Sequence, residues 1–206
     1  MENSVKICSI ICGAPCGLVK EHISGFVIAA DSGLDRCVSV GITPDIVVGD
    51  FDSTRSSVPS GVEIIGVQPE KDDTDTILAA RTAVERGYNE LRFFCAFGGR
   101  ISHSLANIQM LRALKRQNIR GALFGESSVM FLLREQSLRL PRFDGYLSVF
   151  ALSETATVSE SGVKYPLDCH ELSNDFPLGV SNEIVADFAE LTVHSGLCAV
   201  VLEEER

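Results

Sequence analysis

The order in which hydrophobic patterns follow one another constrains this chain more than any other feature. From the N-terminus to about residue 125, short runs rich in Val and Ile alternate with longer stretches in which apolar residues recur every three or four positions. That alternation predicts strands joined by helical crossovers, an α/β domain with a largely parallel sheet. The predicted strands cover residues 5–11, 26–30, 46–48, 62–67, 91–95 and 121–124. Thr76, Ile77, Ala80 and Val84 form one helical stripe, with Asp and Thr ahead as caps and Gly87 behind as a stop. Leu105, Ile108, Leu111 and Leu114 form the next, and a short helix between Leu34 and Val40 closes at Gly41.

After about Ser127 the helical spacing ends and β-type runs succeed one another, over residues 129–133, 137–140, 146–151, 156–159, 183–188, 190–194 and 197–202. An α/β domain over 1–126 followed by a smaller all-β domain over 127–206 is therefore expected, closely packed because no Pro- or Gly-rich linker separates them.

Eighteen Lys and Arg against 28 Asp and Glu leave a net charge of −10, which argues against a broad nucleic-acid-binding face. No apolar stretch approaches the roughly 20 residues of a membrane helix, so no membrane partner is expected. The N-terminal run reads as a strand and not a signal peptide, and seven cysteines, an odd number, fit reduced thiols. A cytoplasmic protein is the expectation. Cys8, Cys12 and Cys16 lack the C-x-x-C spacing of zinc sites and read as core and turn residues.

Open parallel sheets bind ligands beyond the carboxyl ends of their strands, and there the acidic residues collect. Asp31 follows the second predicted strand, Asp50 and Asp52 the third, and Asp72, Asp73 and Asp75 the fourth, whereas the next loop, Gly98-Gly99-Arg100-Ile101-Ser102-His103, is basic. Three converging acidic loops repel one another unless a cation sits among them, and oxygen-only ligands select a hard ion such as Mg²⁺. Magnesium suggests a phosphate-bearing substrate, for which Lys71, Arg100 and His103 supply cationic or donor groups. Neither a Walker loop nor a G-x-G-x-x-G turn is present, so a nucleotide is held by another arrangement. Any single aspartate here reads equally as a helix cap or a solvated turn residue. The string Asp50-Phe51-Asp52-Ser53-Thr54 also satisfies the D-x-D-x-T pattern of haloacid-dehalogenase-type phosphatases, although it ends the third strand instead of the first.

Taken in order, Ala30-Asp31-Ser32-Gly33, Gly41 through Ser53, Lys71-Asp72-Asp73-Thr74-Asp75 and Gly98 through Ile108 resemble thiamine pyrophosphokinase. Gly162-Val163-Lys164-Tyr165-Pro166-Leu167 and Gly179-Val180-Ser181-Asn182-Glu183 resemble that family's substrate-binding β domain. The resemblance implies a C-terminal β-sandwich, a homodimer, and transfer of pyrophosphate from ATP to thiamine with release of AMP. It assigns catalytic work to Asp50, Asp52, Asp72 and Asp75, magnesium to Asp50, Asp52 and Asp75, and ATP to Asp31, Lys71, Arg100, Ser102, His103 and Asn107. Tyr165, Ser181 and Asn182 are implied for thiamine, with Tyr165 as an aromatic platform. The family carries Gly where Ser32 stands, Asn where Asp35 stands and Asp where Ser102 stands. Two rival readings are a pyrophosphokinase for another hydroxymethyl heterocycle, such as a pterin, and a non-catalytic sensor.

Overall fold

The computed structural model describes residues 4–50, 54–66 and 74–205. It divides into two compact units, Met1–Glu126 and Ser127–Arg206.

Six parallel strands build the first unit: β1 (Ile7–Ile11), β2 (Phe26–Ala30), β3 (Ile46–Gly49), β4 (Glu63–Gly66), β5 (Glu90–Phe94) and β6 (Arg120–Phe124). Helix α1 (Gly33–Ser39) follows β2, α2 (Asp75–Glu85) precedes β5, and α3 (Ile101–Arg116) links β5 to β6. The strands lie in the order β4-β3-β2-β1-β5-β6. The chain therefore winds outward from β1 in one direction, returns, and winds outward again from β5. The crevice where the order reverses, beyond the carboxyl ends of β1 and β5, is where open parallel sheets hold ligands. Val and Ile make the inner strands because both faces of a parallel sheet are covered, and Ile10, Ile11, Ile28, Ile46 and Val47 are fully buried.

The second unit has two antiparallel sets of strands, of which the second is a separate four-stranded sheet. β7 (Ser128–Arg134), β13 (Leu197–Glu204) and β9 (Gly145–Ala151) pair in one. β11 (Leu167–Ser173), β10 (Thr155–Ser161), β12 (Phe188–Ser195) and β8 (Ser137–Pro141) form the other. Alternating inward residues such as Leu147, Val149, Ala156, Val158, Leu191 and Val193 form one core between them.

Three expectations need correction. Residues 167–173, where the sequence predicts no strand, form edge strand β11, in which most side chains are exposed and the apolar alternation is lost. Residues 183–194 were expected as two strands, whereas only Phe188–Ser195 forms a continuous one and Ile184 makes an isolated bridge to Val163. The expectation of thiols throughout fails at Cys16 and Cys95, which form a disulfide with their Cα atoms 5.4 Å apart. They are 79 positions apart in sequence and meet because β1 and β5 end side by side. Cys8, Cys12, Cys37 and Cys198 are buried free thiols, and Cys169 is an exposed one. No described helix is long and apolar enough to cross a membrane.

Candidate active site

A cleft of about 470 Å³ opens at the reversal point of the parallel sheet. Its floor is built from backbone that continues the strand pairing: the Cys12 N–H donates to the Phe94 carbonyl at 2.9 Å and the Ala14 N–H to the Cys95 carbonyl at 3.2 Å. Two glycines let the strand ends come together. Gly33, at the start of α1, lies against the Ile11 carbonyl, where a Cβ would stand 2.0 Å from the oxygen. Gly49, at φ +146°, lets β3 approach the Asp31 turn, where a Cβ would meet the Asp31 Cα at 3.2 Å. Asp31 itself has φ +47°, and its N–H donates to the Val48 carbonyl at 2.7 Å, so this turn is tied to the strand that delivers Asp50.

Asp31, Asp50 and Asp75 all line this one cleft. Asp50 follows β3 directly, and Thr54 donates its hydroxyl to an Asp31 carboxylate oxygen at 3.4 Å. Asp75 opens α2 behind the N-cap Thr74, whose hydroxyl oxygen accepts from the Ile77 N–H at 3.3 Å. Asp52, Lys71, Asp72 and Asp73 lie outside the described residues.

Gly99, Arg100, His103 and Asn107 line the same cleft from the start of α3. The N-terminus of a 16-residue helix, with a cationic side chain at its cap, forms an anion-binding arrangement. Asn107 is buried and donates from Nδ2 to the Ala96 carbonyl at 3.0 Å, which fixes the loop after β5. Ser102 is exposed and does not line the cleft; Ser104 does. The turn after β1, Gly13-Ala14-Pro15, also lines it and was not singled out in the sequence, where it carries no charged or nucleophilic group. Cys12 and Cys95 lie there too, and burial pushes the Cys12 thiol up to about 12, so it stays protonated.

Asp35, where the family carries Asn, accepts from the backbone N–H of Ser56 at 2.8 Å and of Arg55 at 3.1 Å. The Ser56 hydroxyl, then the Arg55 N–H, hold its carboxyl below the usual range. The residue ties the chain beyond Asp50 back to α1, a task a carboxylate performs with acceptors alone.

Among the described residues no group of three or more His, Cys, Asp or Glu side chains is assembled to hold a metal. Magnesium commonly takes only one or two carboxylates, with water and substrate phosphates completing its shell. The hard oxygen donors Asp50 and Asp75 in one cleft fit that pattern.

In the second unit, the loop at residues 162–166 packs against the segment at 179–186. Lys164 N–H donates to the Glu183 carbonyl at 2.9 Å and Val185 N–H to the Gly162 carbonyl at 3.0 Å. Tyr165 projects from this loop with 64% of its surface exposed. Ser181 is exposed in the left-handed region at φ +58°, and its N–H donates to the Ser148 hydroxyl at 3.0 Å. Asn182 differs from both: it is buried, and its side chain faces Tyr165 backbone atoms.

Comparison with known proteins agrees with both units. Residues 21–123 match the family model of the thiamin pyrophosphokinase catalytic domain, and residues 135–198 that of the thiamin pyrophosphokinase vitamin B1 binding domain. The chain is 28% identical over 211 residues to thiamine pyrophosphokinase of Bacillus subtilis, covering 96% of this chain and 98% of that one. The crystal structure of the Bacillus subtilis thiamine pyrophosphokinase superposes with a TM-score of 0.89 at 24% identity, over 98% of this chain and all of the other. Thiamin pyrophosphokinase from Candida albicans gives 0.80 at 14% identity, over 97% and 90%. At such identities the superpositions speak to the fold, and the two family models speak to descent. The phosphatase, pterin and sensor readings have no counterpart among these matches. The chain belongs to the thiamin pyrophosphokinase family.

Proposed function

We propose that this protein transfers the pyrophosphoryl group of ATP to the hydroxyl of thiamine, giving thiamine diphosphate and AMP. The observation that carries the reading is the cleft at the sheet's reversal point. The carboxylates Asp31, Asp50 and Asp75 line it together with Arg100, His103 and the start of α3. Transfer between oxygen atoms at phosphorus needs alignment and charge neutralisation more than covalent help. Arg100, His103 and the helix N–H groups bind and orient the polyphosphate, joined by Lys71. Asp50 and Asp75, with Asp52, would hold Mg²⁺, which supplies charge neutralisation on the transferred group, and Asp72 would assist catalysis beside them. Asp31 and Asn107 shape the nucleotide-binding wall. Ser102 is exposed and is not among the residues lining the cleft, so its contribution to ATP is indirect.

Thiamine joins a flat aminopyrimidine to a cationic thiazolium, and an exposed aromatic face offers such a ligand both stacking and cation–π attraction. Tyr165 is that face, and Ser181 supplies a neighbouring hydroxyl. The two substrates have to meet, and the family resemblance implies that they do so in a homodimer, which is the assembly we propose. A cytoplasmic location suits an enzyme that draws on ATP.

Incubation with thiamine, ATP and Mg²⁺ followed by chromatography tests the reaction. AMP together with thiamine diphosphate is expected. ADP with thiamine monophosphate changes the reaction class, and neither product removes the proposal. Light scattering on the active protein tests the dimer, which a fully active monomer excludes.

A further inference from the structure

The inward positions of β10 are occupied in turn by Ala156, Val158 and Glu160. A carboxylic acid thus stands in the sandwich core at a register position that its two predecessors fill with apolar groups. Glu160 is 2% exposed, and burial pushes its carboxyl up to about 7, against the lowering influence of a hydrogen bond from Asn182. An apolar side chain of similar size would avoid that cost. What the carboxylate does in return is visible in its partner.

Asn182 donates from Nδ2 to a Glu160 carboxylate oxygen at 3.1 Å and to the Tyr165 carbonyl at 2.9 Å. Its Oδ1 accepts from the Tyr165 N–H and from the Glu183 N–H, each at 3.0 Å. Two donors and two acceptor sites are the whole capacity of a carboxamide, so none is left for a ligand. Both backbone groups of Tyr165 are held by one side chain, and the amide can hold them in only one of its two flipped orientations. Glu160, an acceptor when ionised, faces Nδ2 and rejects the flipped form, which would set Oδ1 against it.

We propose that Glu160 is a positioning residue for substrate binding: through the Asn182 amide it fixes the backbone of Tyr165, and so the aromatic ring that receives the cationic heterocycle. The inference rests on the reading of Tyr165 as the thiamine platform. Asn182, expected from the family resemblance to touch thiamine, acts through Tyr165.

Steady-state kinetics of three variants test this. Glu160→Leu removes the acceptor and is expected to raise the thiamine KM about tenfold while leaving the ATP KM and kcat unchanged. Glu160→Gln keeps an acceptor and is expected to restore the thiamine KM. Tyr165→Ala tests the platform itself and is expected to raise the thiamine KM about tenfold. An unchanged thiamine KM in Tyr165→Ala removes the platform, and this proposal with it. A raised KM in Tyr165→Ala beside an unchanged one in folded Glu160→Leu removes only the role of Glu160. Amide hydrogen exchange at Tyr165 in the unaltered protein gives a reading that no folding defect can mask. Slow exchange is expected, and exchange at the rate of an open loop overturns the proposal.

Discussion

Gly33 lies so close to Ile11 that an added Cβ would stand 2.0 Å from the carbonyl oxygen and 2.8 Å from the carbonyl carbon. Both atoms belong to the backbone of β1, the strand at the sheet's reversal point, so neither can swing aside. Gly33→Ala is expected to cost about 1–3 kcal/mol of stability, the usual penalty for overpacking, and to raise the ATP KM by displacing the turn after β1. Chemical denaturation and steady-state kinetics measure both. Gly17→Ala is the control: nothing lies within 4 Å of its Cβ position, and a loss of stability there equal to that of Gly33→Ala would refute the packing argument.

Asp50→Asn and Asp75→Asn are each expected to lower turnover by roughly 100-fold, the scale on which one preorganised electrostatic contact is lost, about 3 kcal/mol. Both side chains line the same cleft. The losses should deepen when Mg²⁺ is limiting. Near-normal rates for both at limiting Mg²⁺ would take these residues out of the metal site. Asp52→Asn, which lies outside the described residues, is expected to behave alike.

The pH dependence of stability carries a signature of Glu160. Its folded pKa, raised by burial from 4.5 to about 7, exceeds the value in an unfolded chain. A carboxyl shifted in this direction binds its proton more tightly in the native state. Its contribution is therefore fully present below about pH 4.5 and lost as pH rises through about 7, on the order of 3 kcal/mol in all. Glu160→Gln should flatten that part of the profile and be more stable than the unaltered protein at pH 8. A profile identical in both proteins between pH 5 and pH 8 would show that Glu160 ionises normally.

Thiol labelling separates the cysteines. Burial pushes Cys8, Cys12 and Cys37 up to about 12 and Cys198 to about 11, while Cys16 and Cys95 are bonded to each other. Cys169 is exposed, with His194 Nε2 3.7 Å from its sulfur. A single equivalent of a thiol reagent is expected to react with the native, unreduced protein, and peptide mapping should place it on Cys169. Cys169→Ser should abolish the fast reaction, and a denaturant should expose the remaining four free thiols. Rapid labelling of a buried cysteine would contradict the packing around it.

What could be read from the chain follows the length over which each signal is written. The alternation of Val and Ile runs with helical stripes spans over a hundred residues, and β1 to β6 and α1 to α3 lie where it puts them, to within a few residues at their ends. β11 was missed because Asp168 to Glu171 all point to solvent, leaving no apolar alternation to detect. Asp31, Asp50 and Asp75 were legible because separate loops at successive strand ends each carry an aspartate, a coincidence that turn and cap chemistry explains for one loop but not for all of them together. The turn Gly13-Ala14-Pro15 was not, since it offers the cleft only small side chains and backbone. Ser102 and Ser104 are two positions apart on one helix, and only the phase of α3 decides that the second lines the cleft. The saturation of Asn182 needs Tyr165 and Glu160 brought together from 17 and 22 positions away, which no local pattern encodes.

The Cys16–Cys95 bridge bears on how the first unit is reached as well as on what it is. β1 and β5 pair from Ile7 with Glu90 to Ile11 with Phe94, the contact that creates the reversal point. With open thiols, that contact must be found by closing a long stretch of chain, and such distant pairings are slow to form. The bridge joins the chain just beyond both strand ends, across 79 positions. An oxidised chain therefore carries the β1–β5 neighbourhood into its denatured ensemble, while a reduced chain has to search for it. The same native fold then stands at the end of two different searches, and the oxidised protein is expected to complete the shorter one.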